Sequence, residues 1–186
     1  MNWKEQITIP NILTLIRLAC IPGMAKEIYD SGGYSKLSAV LFLAIWFTDI
    51  LDGWIARHFN QVSDLGKVLD PLVDKIFQIT TGIMMCVVGR LPLWVPVIMV
   101  IKELIMIIGG AFLFKREYVV SGKWYGKLTT VLTAIAFVII FFLPKEKVWI
   151  TPYLFILPIG MTLFSLVSYG RDAIRVYRSG ILDDKA

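Results

Sequence analysis

Four aspartates, Asp49, Asp52, Asp70 and Asp74, stand at the ends or inside of strongly apolar runs, in the stretch DILDGWIARHFNQVSDLGKVLDPLVD. Carboxylates are expensive at membrane depth and tend to mark a substrate path, an ion site or a catalytic site. Asp49 and Asp52 are three residues apart, and Gly66, Asp70 and Asp74 follow at intervals of four, so on two helices each set shares a face. A short turn between the helices makes them antiparallel neighbours and lets the four carboxylates converge. Carboxylates gathered in this way need protonation, basic partners or metal ions. Ligands that are all oxygen suit hard cations such as Mg²⁺, Mn²⁺ or Ca²⁺, and no His or Cys cluster argues for zinc. Two such cations could clamp a diphosphate and stabilise both the attacking and the leaving oxygen. Gly53 and Ala56 are small, so a flat or extended ligand could reach the backbone beside the carboxylates. Arg57 could add a fork to a phosphate oxygen. One pair of carboxylates at a helix end is often just solvated; four at helical spacing on consecutive helices are hard to explain that way.

The elements that must position these residues read as membrane helices. Apolar residues make up 57% of the 186-residue chain, above the roughly 45–50% of soluble domains. The excess is gathered in runs of about 18–22 residues, long enough to cross a hydrocarbon core of roughly 30 Å. The sequence predicts an all-α integral membrane protein of one domain, residues 1–186, with six spans. These run from about Asn11 to Tyr29, Ser35 to His58, Gly66 to Val88, Pro92 to Phe114, Trp124 to Leu143 and Trp149 to Tyr169, the last with a possible kink at Pro158. Residues 1–9 suit a short interfacial helix, no cleavable signal peptide is evident, and Arg171 to Ala186 reads as a short charged tail. On the first span Asn11, Thr14 and Arg17 are spread over about 240°, which makes no single narrow stripe. Arg17 lies near two turns into that span, where it calls for an acidic or phosphate partner.

The net charge of +5 fits basic cytoplasmic loops beside anionic lipid and gives no reason to invoke nucleic acid. Cys20 and Cys86 fall inside spans and read as packed thiols. His58 reads as interfacial. Eleven lysines and arginines (Lys4, Arg57, Lys67, Lys115, Arg116, Lys123, Lys127, Arg171, Arg175, Arg178 and Lys185) lie on the side of the termini, against five on the other (Lys26, Lys36, Arg90, Lys145 and Lys147). That bias puts both termini and the aspartates on the cytoplasmic side of the cell membrane.

The pattern Asp49-x-x-Asp52-Gly53-x-x-Ala56-Arg57, eight residues, then Gly66-x-x-x-Asp70-x-x-x-Asp74, resembles the signature of the CDP-alcohol phosphatidyltransferases at every motif position. Pro10-Asn11-x-x-Thr14-x-x-Arg17 is similar to the family's entry to its first helix. The resemblance implies transfer of a phosphatidyl group from CDP-diacylglycerol to an alcohol with release of CMP. It implies that Asp49, Asp52 and Asp70 hold two divalent ions, Mg²⁺ or Mn²⁺. Asp74 would share that site and act as general base, and Gly53, Ala56 and Gly66 would leave room for the nucleotide with Arg57 nearby. Relatives of this plan are often homodimers.

The acceptor is read from residues outside the motif. Lys102, Arg116 and Lys127 could hold an anionic acceptor, although Arg116 also fits a positive-inside loop. Pairing of Lys102 with Glu103 is not expected, because adjacent helical residues diverge by about 100°. The surroundings of Lys102-Glu103 and of Trp124 to Thr130 are similar to those of bacterial phosphatidylglycerophosphate synthases, which implies glycerol 3-phosphate as acceptor. Tyr169-Gly170-Arg171 is similar to the end of CDP-diacylglycerol-dependent cardiolipin synthases, whose acceptor is phosphatidylglycerol. Intramembrane aspartates also serve cation or proton transport, but here they gather at one edge and no internal repeat is present.

Overall fold

A computed structural model describes residues 8–59, 63–114 and 124–183, all helices and turns, with no strand among them. The expected interfacial helix at residues 1–9 falls almost wholly outside the described residues. Helix α1 (Ile9–Asp30) begins behind Thr8, whose side chain accepts from Asn11 N, with Pro10 in its first turn, where the missing N–H would have no partner anyway. Helix α2 (Lys36–His58) is capped by Ser35, which accepts from Leu37 N and Ser38 N. Helix α3 (Asp64–Val87) is capped by Ser63, which accepts from Gly66 N. Helices α4 (Trp94–Phe114) and α5 (Trp124–Phe142) come next. A short 3₁₀ turn (Lys145–Ile150), α6 (Thr151–Leu154) and α7 (Ile156–Asp183) complete the chain. Among the described residues three segments are long and apolar enough to cross a membrane: Lys36–Ala56, Trp124–Phe142 and Lys145–Arg171.

The last expected span differs from what is observed. It starts earlier, as a 3₁₀ turn, breaks at Phe155 and continues as helix to Asp183 rather than ending near Tyr169. The break lies three residues before Pro158, whose ring crowds the carbonyl four residues back and removes a ladder bond. Beyond Tyr169 the hydropathy falls, but that ends a span, not a helix.

The chain divides into two compact units, one of residues 1–93 and 138–151, the other of 94–137 and 152–186. In the first, α1 packs closely against both α2 and α3. The expected neighbouring of α2 and α3 is seen where Phe42 meets Phe77, with α1 packed more closely against each than they are against one another. The buried face of α1 begins at Pro10 and from Asn11 runs through Thr14, Arg17, Ile21, Met24 and Ile28, steps of three and four that keep one stripe inward. Below its polar upper half the core is apolar. Phe42 of α2 meets Phe77 of α3 at 4.9 Å and Phe141 at 5.7 Å between ring centroids, with Val73 and Met85 fully buried. At the turn after α1, Gly33 takes φ +70°, and a Cβ there would lie 2.8 Å from Arg90 Cγ. Arg90, itself buried, donates to the carbonyls of Ile140, at 2.7 Å, and Leu143 at the end of α5.

In the second unit α4 packs on α7. Tyr125 of α5 shares a 2.5 Å hydrogen bond with Ser168 of α7, and Phe137 meets Phe155 edge-on at 5.3 Å.

Candidate active site

The acidic residues sit at one end of the first unit, and α1 supplies the groups that lie between them. Arg17 donates from Nη1 to Asp49 Oδ1 and from Nη2 to Asp52 Oδ2. The Arg17 side chain is 1% exposed, that of Asp52 2% and that of Asp49 34%. An arginine cannot shed its charge in a protein, so burial here depends on those two carboxylates. Three residues before Arg17, the Thr14 hydroxyl lies 2.6 Å from Asp70 Oδ1, 3.0 Å from its own helix at Pro10 O and 3.4 Å from Asp52 Oδ2. Its single hydrogen therefore goes best to Asp70. Arg17 thus ties Asp49 to Asp52, and Thr14 brings Asp70 to the same place.

The expected spread of Asn11, Thr14 and Arg17 is corrected by this arrangement. Steps of three lag one helical turn by about 60° each, so the three cover about 120° the short way round. All three are buried, at 3%, 0% and 2% exposure, and all point at the same end of the unit. Asn11 completes the row: its Nδ2 donates to Ser63 Oγ at 2.8 Å, and Ser63 caps α3 by accepting from Gly66 N at 2.9 Å.

Asp74 stands one turn beyond Asp70 and has partners of its own. Gln78 Nε2 lies 3.1 and 3.2 Å from its two carboxylate oxygens, and Lys75 Nζ is 3.9 Å away. Asp49 and Arg17 are within electrostatic range of it. Among the described residues no three acidic, His or Cys side chains are gathered closely enough to hold a metal ion as they stand; a guanidinium lies between the first two carboxylates instead.

Of the residues expected to line a nucleotide, Gly53 and Ala56 lie on α2 beyond Asp52, half-buried. The Arg57 side chain lies outside what is described. At Gly66, a Cβ would meet Asn11 Oδ1 at 2.6 Å, Ser63 Oγ at 3.1 Å and Asp70 Oδ2 at 3.6 Å. This glycine is therefore demanded by the close approach of α1 to α3. Lys102 belongs to the second unit, and the expectation that it avoids Glu103 is corrected: its Nζ donates to Glu103 Oε1 at 2.5 Å. The Cβ vectors diverge, but two long side chains bend back toward each other where water is scarce. Arg116 and the Lys127 side chain lie outside the described residues. Sequence reasoning missed Gln78, Ser63 and Lys75. Gln78 was detectable as a polar residue one turn after Asp74 within an apolar run.

Residues 7–167 match the CDP-alcohol phosphatidyltransferase family. The chain is 35% identical over 132 residues to the CDP-diacylglycerol–glycerol-3-phosphate 3-phosphatidyltransferase of Aquifex aeolicus, covering 70% of this chain and 73% of that protein. It is 32% identical over 132 residues to a probable phosphatidylglycerophosphate synthase of Mycobacterium tuberculosis, covering 69% and 63%. A cardiolipin synthase (CMP-forming) of Streptomyces coelicolor is 34% identical over 116 residues, covering 60% of this chain and 54% of that protein. The match to the family takes in α1 with Arg17, both acidic helices and most of the helical chain beyond them, and on that extent the chain belongs to the CDP-alcohol phosphatidyltransferase family of enzymes.

Proposed function

We propose that the chain transfers the phosphatidyl group of CDP-diacylglycerol to glycerol 3-phosphate, giving phosphatidylglycerophosphate and CMP. The observation that carries this reading is the set of carboxylates that α1 draws together from two helices, Asp49 and Asp52 of α2 through Arg17 and Asp70 of α3 through Thr14. Oxygen donors already sharing a positive charge fit hard divalent ions. Asp49, Asp52, Asp70 and Asp74 would hold two Mg²⁺ or Mn²⁺ ions, which when bound neutralise the diphosphate and stabilise the attacking and leaving oxygens.

The chain's own residues do the rest. Asp74 takes the proton of the acceptor hydroxyl. The hydroxyl oxygen then bonds to the lipid-bearing phosphorus, the bond from that phosphorus to the bridging oxygen breaks, and the electron pair leaves with CMP. Gln78 presents its amide to both oxygens of Asp74 and holds the base in one orientation. Gly53, Ala56 and Arg57 are assigned to the donor nucleotide and Gly66 to its surroundings; Lys102, Arg116 and Lys127 are assigned to the acceptor phosphate.

We read the chain as a single membrane domain of six spans, acting as a homodimer in the cell membrane, with termini and site on the cytoplasmic side. The lysine and arginine bias supports that orientation. A second reading, transfer to phosphatidylglycerol to give cardiolipin, is favoured by the likeness to the Streptomyces protein. The test is turnover in detergent with CDP-diacylglycerol and Mn²⁺ or Mg²⁺, comparing glycerol 3-phosphate, phosphatidylglycerol, inositol phosphate and serine. CMP release with glycerol 3-phosphate alone is expected, and it stops on chelation by EDTA. Release only with phosphatidylglycerol selects the second reading. Release with none of them, together with ion flux in liposomes free of nucleotide, would reject phosphatidyl transfer.

A further inference from the structure

Thr14 is fully buried on α1, and its hydroxyl touches a carboxylate of each acidic helix. Asp70 Oδ1 of α3 lies 2.6 Å away and Asp52 Oδ2 of α2 lies 3.4 Å away. A hydroxyl has one hydrogen to give. The shorter separation is that of a charge-assisted bond to a carboxylate, whereas Asp52 Oδ2 already accepts from Arg17. A β-branched side chain has few rotamers in a helix, and this one keeps its hydroxyl 3.0 Å from Pro10 O while it reaches Asp70. The backbone of α1 therefore aims the donor. Asp70 is half-buried, and its two oxygens differ. Oδ1 is held on Thr14, and Oδ2 lies on the side of Gly66, 3.6 Å from where a Cβ there would be. Without the hydroxyl, Oδ1 would face a methyl group of a side chain that solvent does not reach. A carboxylate oxygen left so would turn toward another donor.

We propose that Thr14 is a positioning residue for phosphatidyl transfer: its hydroxyl pins Asp70 Oδ1 to α1 and so fixes the direction in which Oδ2 is presented. Thr14 acts through Asp70 and not on the substrate. This rests on the reading of Asp70 as a working group in the transfer, and it holds whether or not Oδ2 meets a cation.

The test is CMP release by the full chain in detergent, with CDP-diacylglycerol and the acceptor that wild type turns over, for wild type, Thr14→Val and Thr14→Ser. Thr14→Val is also made in an Asp70→Asn background. Valine keeps the shape and removes the hydroxyl; serine keeps the hydroxyl. For Thr14→Val kcat is expected to fall by about tenfold to a hundredfold, the effect of a misplaced group at a reacting centre, with KM for CDP-diacylglycerol near wild type. Thr14→Ser should recover most of that loss. Groups that act as a unit do not lose activity additively, so Thr14→Val should cost little further in the residual turnover of Asp70→Asn. Wild-type kcat in Thr14→Val, equal losses in the valine and serine variants, or a full further loss on top of Asp70→Asn overturns the proposal. A raised KM with unchanged kcat makes Thr14 a substrate contact and overturns it too. If Thr14→Val does not fold, Thr14→Cys, whose thiol is a weak donor, is judged in its place. Wild type that releases no CMP, or Asp70→Asn with normal turnover, removes the reading of Asp70 and this proposal together.

Discussion

Replacing Gly66 by alanine tests whether the contact of α1 with α3 is as close as described. The new Cβ would sit 2.6 Å from Asn11 Oδ1. Ordinary contact begins near 3.4 Å, so the amide must retreat by roughly 0.8 Å. Asn11 is 3% exposed and bonded to Ser63 at 2.8 and 3.1 Å, which leaves it little room. Losing that hydrogen-bonded pair costs about 0.5–1.5 kcal/mol, and overpacking a tight site costs about 1–3 kcal/mol. The better helix propensity of alanine returns up to about 1 kcal/mol. The expected net loss is about 1–3 kcal/mol, or on the order of 5 °C in unfolding temperature for a chain of this size. The assay is thermal unfolding in detergent of wild type, Gly66→Ala, Asn11→Ala and the double variant. Asn11→Ala removes the clashing oxygen, so alanine at 66 should cost little or nothing in that background. Equal cost with and without Asn11 would refute the contact. Unchanged unfolding temperature with a raised KM for CDP-diacylglycerol would instead leave the glycine serving only the nucleotide.

Asp52→Ala leaves the buried Arg17 with Asp49 alone, at a site where the Arg17 and Asp52 side chains are at most 2% exposed, and should cost about 3 kcal/mol. Asp49→Ala, at a side chain 34% exposed, should cost clearly less; denaturant unfolding in EDTA ranks the two, and the reverse order would contradict the ion-pair geometry. Gln78→Leu should leave KM for CDP-diacylglycerol near wild type and lower kcat by about tenfold to a hundredfold, through a mis-set Asp74; unchanged kcat removes the orienting role. Gly33→Ala combines a positive φ with a 2.8 Å approach to Arg90 Cγ and should cost about 2–4 kcal/mol. Gly23→Ala on α1, where a Cβ meets nothing within 4 Å, should be neutral or stabilise by up to about 1 kcal/mol, and unfolding temperatures of opposite shift are the expected readout.

Spacing alone makes the carboxylates legible, because positions three or four apart on a helix share a face whatever surrounds them. Helix limits are legible to within a few residues where Pro10, Ser35, Gly89 and Pro144 punctuate the chain. Which helix neighbours which is not. A short turn between α2 and α3 suggests contact, yet hydropathy does not reveal that the polar row Asn11, Thr14 and Arg17 draws α1 against both. The depth of Arg17 in its span calls for an acidic partner, but nothing in one sequence says that it needs two. The pairing of Lys102 with Glu103 escapes because backbone direction poorly constrains side chains with three or more rotatable bonds. Gln78 is marked in the sequence only as a polar residue one turn after Asp74, and its bond to that carboxylate becomes visible in the structure.

The burial of Arg17 has a consequence for how the chain is made. Its partners lie 32 and 35 residues further along, so during synthesis α1 emerges bearing a charge that has no counter-ion yet. An arginine at the centre of a helix entering the bilayer alone costs about 2.5–3.5 kcal/mol on insertion scales. On the six-span reading proposed above, the first helix gains by waiting at the protein-conducting channel until α2 arrives and by passing into lipid with it as a hairpin whose ion pairs are already closed.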